Sequence, residues 1–165
     1  MGMMGISRAG DQELYALGLG SCIGLAVIDR RARVAGLAHI VLPESPECER
    51  EGAQPGKFAD RAVPELIFRM RLHGAAPSRM EAVLVGGARM FAGGELDIGA
   101  RNVEAVREAL KAVHVKVHAE ATGGALGRTV RVSADRGTVT MKEVGGEPVV
   151  LLGDPVPTTV LGGNS

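Results

Sequence analysis

The chain has 165 residues, enough for one self-sufficient core that needs no disulfide framework. Hydrophobic residues make up 45% of it and aromatics only 2%, so the core must be built from Val, Leu, Ile, Ala and Met, and stacking on nucleic-acid bases is disfavoured. The 19 basic and 19 acidic residues cancel, and with no Lys/Arg block the footprint of a nucleic-acid or anionic-membrane partner is missing.

Residues Met1 to Gly10 mix Met and Gly with Ser7 and Arg8 and lack the apolar centre of a signal peptide, and no later stretch approaches a membrane span. A cytoplasmic protein without membrane insertion is expected. There, Cys22 and Cys48 should stay reduced thiols.

In chain order, Leu14–Leu17 and Ile23–Asp29 read as short strands around the turn Gly18-Leu19-Gly20-Ser21-Cys22, and Val34–Leu42 as a third, largely apolar strand after a charged hairpin loop. Pro43–Gly56 carries three prolines and four glutamates without an apolar period, and is expected to lie over the surface as a mobile flap. Across Phe58–His73, Ala59, Ala62, Val63, Leu66, Ile67 and Met70 recur at helical steps, with Pro64 near the start. Glu81–Val85 reads as a strand ending on Gly86-Gly87. Val103, Val106, Leu110 and Val113 mark a second helix that Asn102 could cap. Val115–Glu120, Thr129–Ser133 and Thr138–Glu143 complete the strands.

That order does not alternate as a doubly wound sheet does, so the expected class is α+β: a single layered domain with a mixed, largely antiparallel sheet packed with two main helices. The domain is drawn over residues 1–150, followed by a Gly/Pro/Thr-rich tail, 151–165, expected to be loosely held.

Cys22 follows a glycine-rich turn whose N–H groups can converge on one spot, although a free cysteine beside a strand can equally be a small buried hydrophobe. His39 stands among Ala35, Gly36, Leu37, Ala38, Ile40 and Val41, where a half-polar ring is out of place. It is either a core histidine bonded to backbone or a base. Cys22 and His39 on strands joined by a short loop can come within reach of each other, a pairing that lowers a thiol's pKa.

Other chemistries fit less well. Gly18, Gly20 and Gly24 suggest a dinucleotide motif, but such a motif must open a helix, and Ile23–Ile28 is strand-like. Cys48, His73, His114 and His118 share no metal-ligand spacing beyond the His114/His118 pair, which lies in a strand-like segment, so neither metal nor cofactor is expected. Cys48 lies among Pro46, Glu47, Glu49 and Glu51, whose charges should raise its pKa and keep it unreactive.

Several stretches together resemble a known family: Leu17-Gly18-Leu19-Gly20-Ser21-Cys22, Leu37-Ala38-His39-Ile40-Val41-Leu42-Pro43, Gly56–Pro64, Gly86-Gly87-Ala88-Arg89-Met90-Phe91, Ile98–Val103, and Gly123-Gly124 with Gly127-Arg128. In order and spacing, over about Leu14 to Lys142, they are similar to the chemoreceptor glutamine deamidases known as CheD. The resemblance implies a layered fold shared with toxin-type cysteine deamidases, and conversion of glutamine side chains on methyl-accepting chemoreceptors to glutamate with release of ammonia. It assigns Cys22 as nucleophile and His39 as base, with Gly20 and Ser21 shaping the oxyanion loop. The family's third member is a threonine that orients the histidine, and the matching position here is Ala16, leaving Ser21 or Thr122 as possible substitutes. The resemblance also implies a CheC-type chemotaxis phosphatase as a partner. With the hydroxyl missing, a weakly active or inactive module that engages and stimulates that phosphatase is the alternative to an enzyme.

Overall fold

The computed structural model describes residues 2–47, 54–91 and 96–155. Cys48 and the middle of the expected flap lie outside the described residues, as do residues 156–165 of the expected tail.

Among the described residues, nine strands and two long helices are laid out as β1 (Met4–Arg8), β2 (Leu14–Leu19), β3 (Ile23–Asp29), β4 (Val34–Ile40), α1 (Ala59–Leu72), β5 (Glu81–Gly86), α2 (Ile98–Ala112), β6 (Lys116–Thr122), β7 (Arg128–Ser133), β8 (Thr138–Glu143) and β9 (Val149–Leu152). The α+β class holds, but the strands form two sheets rather than one. The first runs β1-β4-β3-β5-β6 and the second β2-β7-β8-β9. All pairings are antiparallel except β5 with β6, which α2 connects as a crossover.

β3 explains the layering. All seven of its residues are buried, because it lies inside the first sheet with a core on each face. Ile23, Leu25 and Val27 point to the helices and meet Leu66, Met70, Val106 and Leu110. Ala26 and Ile28 point to the second sheet and meet Leu19, Val130, Val132 and Val139. A strand buried on both faces reads as a continuous apolar run, as Ile23–Ile28 does. Helix α1 approaches β4 closely at Gly36, where a Cβ would lie 2.8 Å from Leu66 Cδ1.

Three boundaries depart from the sequence-based expectation. β1 was not expected; it adds to the edge of the first sheet by pairing with β4. Asn102 does not cap the second helix, which begins at Ile98 with Asp97 as N-cap, its carboxylate accepting from Ala100 N–H at 3.0 Å. The boundary drawn at residue 150 falls inside β9, which pairs with β8 and buries Leu152.

Candidate active site

Cys22 occupies the turn between β2 and β3, immediately before β3 begins, and is partly exposed. Its carbonyl accepts from Gly87 N–H at 3.0 Å, and the Gly20 carbonyl accepts from Ala88 N–H at 2.8 Å, so the end of β5 clamps the turn on both sides of the thiol. Gly86 makes this clamp possible. Its φ is +118°, and a Cβ there would lie 2.1 Å from the Cys22 carbonyl oxygen, so only glycine lets the two backbones touch. Arg128, buried despite its charge, braces the clamp: Nη1 donates to the carbonyls of Gly86 and Gly123, while Nε and Nη2 donate to Glu143. Outside the strand ladders, no carbonyl among the described residues accepts from the N–H groups of Gly20, Ser21 or Cys22.

His39 lies on β4 opposite Gly24 of β3, and the last pair of that ladder is Ile23 with Ile40. Continuing the register makes Cys22 a same-face, diagonal neighbour of His39, a relation that brings Cβ atoms within roughly 7 Å or less. Gly24 between them carries no side chain, and a Cβ there would be 2.8 Å from both Leu19 Cδ1 and Val130 Cγ1, and 3.7 Å from Ala16 Cβ. Cys22, His39 and Ala16 therefore gather at one end of the space between the two sheets.

Ala16 and His39 line the same cleft of about 340 Å³, together with Leu14, Tyr15, Leu17 and Leu37. The His39 backbone is held by Met3 and Gly2, but its buried Nε2 has no hydrogen-bond partner among the described residues. Neither proposed substitute reaches it. Ser21 faces the other way from Cys22 and lines a separate cavity of about 220 Å³ with Ala88, Met90, Phe91 and Gly99. Thr122 pairs with Gly86 on β6, three strands from β4, about 14 Å away at the usual strand spacing of roughly 4.8 Å.

The electrostatics correct one expectation. Burial pushes the Cys22 thiol above its ordinary range, with the adjacent backbone N–H opposing it only in part, and burial pushes the His39 imidazole below its own. Desolvation penalises both charged forms, which disfavours a thiolate–imidazolium pair in the unliganded site. Among the described residues no three of His, Cys, Asp and Glu cluster as metal ligands; His118 instead bonds Glu81 through Nδ1 at 2.8 Å.

Two residues of the site were not singled out by their roles in the sequence. One is Arg128, whose signal was a charged residue opening an otherwise half-apolar strand. The other is Asn102, fully buried on α2, whose Nδ2 donates to the carbonyls of Ser21 at 3.0 Å and Val41 at 2.9 Å.

The family model described as CheD chemotactic sensory transduction matches residues 41–143, more than half of the chain. The chain belongs to the CheD family. It is 41% identical over 133 residues to the chemoreceptor glutamine deamidase CheD of Thermotoga maritima, an alignment covering 81% of this chain and 83% of that protein. It is 42% identical over 137 residues, covering 81% and 84%, to a Clostridium botulinum (strain Eklund 17B / Type B) protein named "Probable chemoreceptor glutamine deamidase CheD". A Methanococcus vannielii protein of the same name is 41% identical over 145 residues, covering 87% and 92%. Within the CheD match lie Asn102, Thr122 and Arg128, whereas Cys22 and His39 precede it. No helix among the described residues is long and apolar enough to cross a membrane.

Proposed function

We propose that this CheD chain deamidates glutamine side chains of methyl-accepting chemoreceptors in the cytoplasm, with Cys22 as nucleophile and His39 as its proton partner. The observation that carries this reading is the same-face, diagonal placement of Cys22 and His39 across β3 and β4 at the open end of the space between the sheets. On substrate binding the thiol proton passes to the neutral imidazole as sulfur adds to the carboxamide carbon. The oxyanion that forms is held by N–H groups of the Gly20-Ser21-Cys22 turn, a contribution worth about 3 kcal/mol per donor in comparable sites. Ammonia leaves with the proton from the imidazolium, giving a thioester. Water then gives a proton to His39 and attacks the thioester carbon, and the tetrahedral species collapses to glutamate and the regenerated thiol. Met90, Phe91 and Leu96, exposed by half or more around the Ser21 cavity, offer an apolar surface next to the Gly20-Ser21 turn on which an amphipathic receptor helix can lie.

Mass spectrometry of a receptor fragment before and after incubation tests this reading: glutamine peptides should gain the mass of amide-to-acid conversion with wild type and stay unchanged with Cys22→Ala. A Cys22→Ala protein that still deamidates would remove the nucleophile from the reading. The second reading, a module that engages and stimulates a CheC-type phosphatase with little activity of its own, is favoured by one observation, the lack of any hydroxyl at position 16 beside His39. Wild-type chain that binds such a phosphatase but leaves receptor peptides unchanged would select it.

A further inference from the structure

The β3–β4 ladder ends at Ile23 and Ile40; just beyond it the Cys22 carbonyl accepts from Gly87 N–H and the Val41 N–H donates to the Lys57 carbonyl, so among the described residues no backbone hydrogen bond joins the Cys22 segment to the Val41 segment. Asn102 spans that gap. Its single Nδ2 gives one proton to the carbonyl of Ser21 and the other to the carbonyl of Val41, residues one position from Cys22 and two from His39. We infer that Asn102 is a positioning residue which, through this two-carbonyl bridge, sets the separation of the Cys22 turn and the His39 strand.

Three further observations support it. Asn102 is wholly buried in the interior of α2, a place where asparagine is a poor helix former and brings no apolar packing. Its Oδ1 is also buried and has no partner among the described residues, a costly arrangement that persists in native structures only for a reason. The amide orientation is unambiguous as well, since the flipped form would set an oxygen against two carbonyl oxygens.

The inference rests on the assignment of Cys22 and His39, and its test separates the two. Asn102→Leu keeps volume and burial but removes both donors. Measured on the intact chain with a receptor fragment, it should lower kcat by about 10²-fold, the scale of a 1 Å misplacement, with KM within about threefold, because the amide touches the strands and not the substrate. Asn102→Ser, with one donor left, should give an intermediate kcat. A folded Asn102→Leu with wild-type kcat overturns the inference, as does a proportionate change in kcat and KM. If Asn102→Leu fails to fold, Asn102→Ser decides: intermediate kcat at unchanged KM supports the bridge, whereas wild-type kcat, or loss of folding there too, makes Asn102 a structural residue only. Cys22→Ala run alongside distinguishes the failures, since its retained activity would remove the underlying assignment instead.

Discussion

At His39 the backbone is bonded on both sides while Nε2 is buried and unpaired, and that contrast directs attention to Ala16. A base must hold one ring orientation, and removing the group that fixes it can cost orders of magnitude, as the aspartate of serine-protease triads shows. With Ser21 facing away and Thr122 three strands off, position 16 is the one of the three from which a hydroxyl shares a cleft with the ring. Ala16→Thr should therefore raise single-turnover rates on a receptor fragment by roughly tenfold with little change in affinity, and an unchanged rate would mean that the ring is oriented by something else. The thiol makes a second prediction. Its pKa is raised by burial, so its thiolate fraction at neutral pH lies below that of a free cysteine. Cys22 alkylation should keep accelerating beyond the ordinary thiol midpoint of about 8.5, and a plateau already reached by neutral pH would reveal an ion pair. In the sequence His39 stands out as a half-polar ring in an apolar run, and Cys22 as a thiol after a glycine-rich turn. Asn102 was not legible there, because its partners lie 81 and 61 positions away in the chain.

Between elements, β3 meets the second sheet tightly at Gly24, where Leu19 and Val130, both fully buried, close over the missing side chain. Gly24→Ala should force these apart at a cost of about 2 kcal/mol, typical of overpacking, lowering the melting temperature by roughly 4–8 °C for a chain of this size. Activity should fall further than stability explains, since the same displacement moves Ala16 relative to His39; thermal melts and turnover measured together check this. Element periodicity was read well where burial is one-sided or complete. α1 was expected over Phe58–His73 and spans Ala59–Leu72, and β3 matches at Ile23–Asp29. The start of α2 was missed because its first turn, Ile98-Gly99-Ala100-Arg101, shows no apolar period. β1 and β9 were missed because each is short and forms only as a sheet edge, a condition set by tertiary pairing and not by local sequence.

At the scale of the molecule, the layered α+β class followed from the order of elements, but the division into two sheets did not, since a strand buried on both faces has the same apolar run whether helices or another sheet cover it. That division places the candidate site at the end of a seam between two cores. It also ties the thiol to β3, whose residues are all buried and whose neighbours flank it on both sides. A strand so enclosed opens to solvent only when the whole domain does. The anchor of the nucleophile thus shares its lifetime with the native state: local fraying at β1 or β9, each a sheet edge, leaves β3 in register.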